Sequence, residues 1–292
     1  SLHKRGIINY LGCVRFKKEK LQGTFIAKEI RNSYLDANNN FDITNYLVED
    51  RLNVLSDEKF TLPAYYNELQ HGSKVKYSDF IDHYISKWSK KITIRVLISL
   101  RNQPDLIYSQ FIQKIIYLNK IADISNFDSF NLLFFNNVDK FKVYDYNQVL
   151  ENLTKYISKE SIYFIIFEDL RSGSNDYYDT LKKALDYKGL LPIEQLDQQE
   201  FRSRQKNDIG VKVKVFKPRM SILKSFISYT PDPLKLSQKM TNRLFIQQDV
   251  IIPFLNDEER EDLLTYYSEK NKIFWGHVDI PMSKGINYGY FK

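Results

Sequence analysis

KITIRVLISLRNQPDLIYSQ, Lys91 to Gln110, is the stretch whose reading decides the fold. Its first half, Ile92 to Leu100, is an apolar run rich in β-branched residues. Such a run fits a strand covered on both faces, as in a parallel sheet flanked by helices. Arg101-Asn102-Gln103-Pro104 ends it. Pro104 fixes its own φ and biases Gln103 away from helix, so the strand stops and a new element begins. Asp105 lies just inside that element, near the positive end of the helix it starts. In open α/β sheets ligands sit at the carboxyl ends of strands. Arg101 stands at such an end, and Ser109 lies about two helical turns further on. A guanidinium and a hydroxyl in that relation suit a phosphate. A strand-end arginine paired with a surface carboxylate has the same spacing.

The bulk numbers bound the rest. A chain of 292 residues with 43% hydrophobic residues, 20 Phe and 21 Tyr buries a large core. A formal charge of +7 favours anionic partners, although the lysines that carry it are scattered. One cysteine, Cys13, excludes an internal disulfide and a cysteine-cluster metal site. The four histidines lack HxxxH or HExxH spacing, so no structural metal is expected. No apolar run approaches the roughly 20 residues of a membrane span, and no signal peptide is visible. Stable membrane insertion is therefore not expected, nor is a nucleic-acid partner, and the expected location is cytoplasmic. The chain starts Ser1-Leu2-His3-Lys4 without Met, so an upstream segment is expected.

Around the central stretch, further strands are expected at Ile7–Leu11, Leu52–Leu55 and Ser161–Phe167. An amphipathic helix is expected from Ile43 to about Arg51 and others over Asp79–Trp88, Pro104–Lys120, Tyr146–Ile157, Asp176–Tyr187 and Asp257–Lys270. Phe127–Val143 reads as an aromatic lid, Gln198–Lys217 as a polar, basic segment, and Ser283–Tyr290 as a Gly- and Tyr-rich loop. Strands alternating with helices and no long linker predict one α/β domain over residues 1–292. Its layers are α/β/α, around a mostly parallel sheet. Ser56-Asp57-Glu58 and Glu168-Asp169 follow strands, which places them on the carboxyl edge with Arg101.

This order of features resembles the sulfotransferase superfamily, which moves a sulfuryl group from 3′-phosphoadenosine 5′-phosphosulfate (PAPS). In that family a buried strand leads into Arg-Asn-Pro or Arg-Asn-Gln, and a serine eight residues after the arginine joins it on the 3′-phosphate. Arg101 and Ser109 keep that spacing, and Phe167-Glu168-Asp169-Leu170 matches a later strand end, followed by a helix and a Gly-Leu-Leu-Pro turn. The closer likeness is to bacterial sulfotransferase-like proteins of saccharide modification. It is carried by Tyr10-Leu11-Gly12, Leu55-Ser56-Asp57-Glu58, the Arg-Asn-Gln-Pro-Asp-Leu-Ile-Tyr-Ser block and Tyr288-Gly289-Tyr290. The resemblance implies a P-loop-NTPase-like sheet, PAPS as donor, adenosine 3′,5′-bisphosphate (PAP) as product, and a hydroxyl acceptor on a saccharide.

One departure is large. The family's Gly/Ser/Thr-rich loop with a lysine for the 5′-phosphosulfate, an anion cradle of backbone N–H groups, has no counterpart from Ser1 onward; it is expected on a segment upstream of Ser1, with true absence of the loop as the alternative. Ser1-Leu2 matches only the tail of that loop, which makes Ser1 and Lys4 peripheral donors. The chemistry needs a base for the acceptor hydroxyl and positive groups for the departing phosphate. Glu58 is the candidate base, with a carboxylate complementing a helix dipole as its bland alternative. Glu29 lies in an apparent amphipathic helix and His83 in a helix before the central strand, so both read as structural or solvated. Arg202 and Arg204 are candidate anion contacts, Asp57 and Glu168 candidate substrate contacts, and Phe127–Phe135 a candidate sugar-stacking surface, although each also fits a solvated or packed role. Two rivals stand beside this reading. One is a kinase-like enzyme using Asp57 or Asp169 on Mg²⁺; the other is an inactive sulfotransferase-like binding module.

Overall fold

The computed structural model describes residues 8–11, 30, 41–55, 63, 65–66, 77–122, 124–188, 209–218 and 245–292. They fall into two compact units interleaved along the chain. The first comprises Ser1–Leu62, Val75–Leu100 and Leu150–Gln195; the second comprises Pro63–Lys74, Arg101–Val149 and Leu196–Lys292.

In the first unit, β1 (Ile8–Tyr10) runs parallel to β2 (Leu52–Val54), with Asn9 opposite Asn53. The two side chains meet across the ladder, Asn9 Nδ2 donating to Asn53 Oδ1 at 2.7 Å. The helix expected from Ile43 to Arg51 is instead a single 3-10 turn, Ile43–Tyr46. Local side-chain bonds replace the helical ones. Asp42 accepts from the Thr44 N–H at 3.1 Å, and Asn53 Oδ1 takes the Val48 N–H at 2.9 Å. Short Asx side chains compete with the helix in this way. Helix α1 (Tyr77–Trp88) buries Tyr84 and Trp88.

β3 (Val96–Leu100) pairs in parallel with β4 (Ile162–Ile166), from Val96↔Ile162 to Leu100↔Ile166. The expectation of two covered faces holds for β4, where only Tyr163 is less than buried. It fails for β3, whose exposure alternates with the pleat and leaves Leu97 36% exposed. β4 runs directly into a short helix, α5 (Phe167–Ser172), which closes at Gly173 in the left-handed region (φ 73°). A later helix, Asn175–Leu185, is capped by Ser174 and packs on β4 and β3.

The second unit holds α2 (Gln103–Ala122), α3 (Phe127–Asn136), a 3-10 segment (Val138–Tyr144) and the start of α4 (Tyr146–Thr154). Its core is aromatic. Phe111 and Phe130 have ring centroids 5.1 Å apart, Phe134 and Phe141 4.8 Å, and Tyr66 stacks on Phe130. Phe127, Phe130, Phe134 and Phe141 are all buried, so of the two roles open to these aromatics, sugar stacking and core packing, these four rings take the second.

The polar, basic segment Gln198–Lys217, for which no element was expected, supplies a strand in its second part. β5 (Gly210–Pro218) pairs antiparallel with β6 (Phe245–Pro253). Val211 and Val213 are buried around an exposed Lys212, which bonds Asp249 at 2.9 Å. Gly210 is required here because a Cβ would overlap the Ile252 carbonyl. With α6 taken as Asn175–Leu185, the last two helices are α7 (Asp257–His277) and α8 (Met282–Asn287). α7 starts with a capping box between Asn256 and Glu259. It continues past the expected end at Lys270 because Asn271, Phe274 and Trp275 are buried. The expected C-terminal loop is largely α8. The described chain is thus mixed α/β, with two parallel strand pairs and one antiparallel pair.

Candidate functional site

The candidate site is the junction after β3. Leu100 is fully buried, Arg101 is half-buried, and α2 begins two residues later at Gln103. Arg101 itself belongs to neither element. Its N–H donates to the Tyr146 hydroxyl at 3.1 Å, and the same hydroxyl donates to the Arg101 carbonyl at 2.5 Å. A tyrosine hydroxyl has one donor and acceptor lone pairs, so it serves both roles.

The next two residues are held as firmly. Asn102, 4% exposed, donates through Nδ2 to the carbonyls of Tyr288, at 3.1 Å, and Gly289. Gln103, fully buried, exchanges two amide hydrogen bonds with Asn271: Nε2 to Asn271 Oδ1 at 2.8 Å, and Asn271 Nδ2 to Oε1 at 3.0 Å. Gln103 Nε2 also reaches the Tyr144 carbonyl at 3.3 Å, and Asn271 Nδ2 the Tyr290 carbonyl at 2.8 Å. Buried amides are tolerated when donors and acceptors are matched as they are between Gln103 and Asn271. Asn102 and Gln103 are therefore anchors of the junction.

Ser109 is half-buried on α2, seven residues into the helix. Asp105, one turn before it, bonds Arg260 at 2.7 Å, which brings a second guanidinium to the first turn of α2. Tyr108 donates to the Pro253 carbonyl at 2.7 Å, tying α2 to the end of β6. Burial, then the charge of Glu259, pushes the Tyr108 hydroxyl up to about 12, so it remains protonated.

A separate cleft in the same unit, about 140 Å³, is lined by Asp139, Lys142, Asp145, Gln148, Tyr266 and Lys270, among others. Its cations already face carboxylates. Lys142 lies 3.5 Å from Asp139, and Lys270 lies 3.2 Å from Asp145 and 4.1 Å from the Tyr266 ring centroid. Burial pulls the Lys270 pKa down, but its bond to Tyr266 and the Asp145 charge outweigh that and raise it. The cleft therefore offers both donors and acceptors, not a net positive field.

Glu168 lies in the first unit, half-buried at the start of α5, one residue before the buried Asp169. Both stand in a helix, not in an extended strand end. His83 is exposed, with its ring nitrogen 2.9 Å from Lys87 Nζ and its ring edge-on to Tyr84. Burial and the Lys87 charge lower its pKa. Glu58, Asp57, Ser1, Lys4, Glu29, Arg202 and Arg204 lie outside the described residues. Among the described residues no group of three His, Cys, Asp or Glu is placed to hold a metal ion, and no helix is long and apolar enough to cross a membrane.

Sequence reasoning missed Tyr146, Arg260 and Asn271. Tyr146 and Arg260 carry no local motif. Asn271 has one faint signal: it is a polar residue on the face of α7 that buries Leu263, Tyr267 and Phe274. Comparison with protein-family models, curated proteins and solved structures finds no match for this chain.

Proposed function

We propose that this chain is a PAPS-dependent sulfotransferase with a P-loop-NTPase-like α/β/α sheet, acting on a hydroxyl of a saccharide. The observation that carries the reading is the junction itself. A parallel strand exits into Arg101, a helix starts two residues later, and Ser109 sits on that helix eight residues after the arginine. In this reading Arg101 and Ser109 hold the donor's 3′-phosphate through charge-assisted hydrogen bonds, at the carboxyl end of a parallel strand, the usual ligand position in α/β sheets. Arg202, Arg204 and Ser1 are further donor contacts.

Glu58 takes the proton of the acceptor hydroxyl as its oxygen attacks sulfur in line. The bond from sulfur to the 5′-phosphate oxygen breaks, and PAP leaves with the electron pair. Asp57 and Glu168 are assigned to the acceptor. The mixed lining of the Lys270–Asp145 cleft supports a polyhydroxyl acceptor, since each sugar hydroxyl both donates and accepts.

The test is transfer of an isotopically labelled sulfuryl group from PAPS to a panel of saccharides. Transfer is expected with the native chain and is lost in Arg101→Ala. Absence of transfer, or full activity in Arg101→Ala, overturns the proposal.

A further inference from the structure

We infer that Tyr146, Asn102 and the C-terminal segment Tyr288–Tyr290 form a clamp that positions Arg101 before any anion arrives. The inference rests on the reading of Arg101 as the 3′-phosphate ligand. A long arginine side chain loses substantial rotamer freedom when it is ordered, and bidentate contact with a phosphate is geometrically demanding. A fixed backbone origin leaves the χ angles free but removes the separate cost of ordering the backbone when the anion binds. Arg101 needs such support because it lies in the break between β3 and α2, where regular backbone pairing ends.

The support is redundant. Tyr146 closes on both backbone groups of Arg101. Asn102 is pinned to two successive carbonyls 186 and 187 residues away in sequence. Gln103 is locked to Asn271, which also holds Tyr290. Tyr146 and Tyr290 have ring centroids 6.5 Å apart, and Tyr290 packs on Trp275 at 4.7 Å, so the two sides of the clamp share one aromatic floor. Three consecutive residues, 101 to 103, are thus gripped from the 144–146 segment, from α7 and from the chain's last residues. Tyr146 and Asn102 are positioning residues, acting on phosphate only through Arg101.

The experiment measures the affinity of the full chain for PAP and for adenosine 5′-monophosphate, which lacks the 3′-phosphate. Native protein is expected to prefer PAP. Tyr146→Phe is expected to weaken PAP binding by roughly three- to tenfold while leaving the monophosphate unchanged. A merely structural role weakens both nucleotides equally. Arg101→Ala is expected to abolish the preference.

If Arg101→Ala abolishes the preference and Tyr146→Phe leaves it intact, the clamp is overturned and the phosphate reading survives. If native protein shows no preference, or Arg101→Ala retains it, both fall. Hydrogen exchange in the native, nucleotide-free chain gives a readout that needs no variant. The Arg101 amide is expected to be protected already; protection that appears only with PAP refutes pre-positioning.

Discussion

Asn271→Leu tests how far the Gln103–Asn271 exchange supports the second unit. The substitution keeps volume and shape but removes one acceptor and two donors from a side chain only 1% exposed. Gln103 Oε1 and the Tyr290 carbonyl lose the donor that now lies 3.0 Å and 2.8 Å away. Each buried group stranded in this way costs about 1–3 kcal/mol, so the variant is expected to lose about 2–6 kcal/mol. Gln103 Nε2 keeps its weaker bond to Tyr144 at 3.3 Å. Gln103→Leu strands Asn271 Oδ1 and the Tyr144 carbonyl by the same logic. The double variant strands only the Tyr290 and Tyr144 carbonyls, so its cost is expected to fall short of the sum of the singles by that of two stranded groups, about 2–6 kcal/mol. Urea denaturation followed by tryptophan fluorescence gives all three values from midpoints and slopes. A loss below about 0.5 kcal/mol in Asn271→Leu, the scale of an ordinary surface change, with additive singles, refutes the reasoning.

Asp42 supplies a pH test in the first unit. Its bond to Lys91, then its bonds to Thr44, hold the carboxyl down to about 2 from an ordinary 3.8. A depressed folded-state pKa contributes stability that is present above the ordinary value and is lost as pH falls through the folded one. The stability difference between native protein and Asp42→Asn is therefore expected to be level above about pH 4 and to vanish toward pH 2. It is small, because Lys91 and Asp42 are 57% and 36% exposed. An unchanged difference at pH 2 in thermal melts contradicts it. Gly285→Ala places a Cβ into the buried Phe291 ring, close to Trp275. It is expected to cost about 1–3 kcal/mol by overpacking, and an unaltered melting temperature counts against the packing described.

The β3–α2 junction was legible because a β-branched run and a proline act locally, and both mark boundaries within a few residues. The same local logic misled at Ile43–Arg51, where helical spacing of apolar residues lost to the hydrogen bonds of Asp42 and Asn53. Dense aromatics at Phe127–Phe135 looked equally suited to a ligand surface and a core. Burial decided for the core, and burial is a property of partners distant in sequence, such as Tyr66 and Phe111. The clamp on Arg101 was illegible for the same reason. Asn102 and Gln103 stood beside the arginine as parts of a motif, and nothing local tells that they reach residues 168 to 187 positions away. The β5 strand was hidden by its lysines, since Val211-Lys212-Val213-Lys214-Val215 alternates basic and apolar residues and resembles a polar segment in composition.

The central claim is tested most directly by titration calorimetry of the native chain with PAP in the absence of metal, set against ATP with Mg²⁺. The account predicts that PAP binds without metal and more tightly than ATP, and that Arg101→Ala removes the preference. Tighter binding of ATP with Mg²⁺, or no heat with PAP, contradicts it.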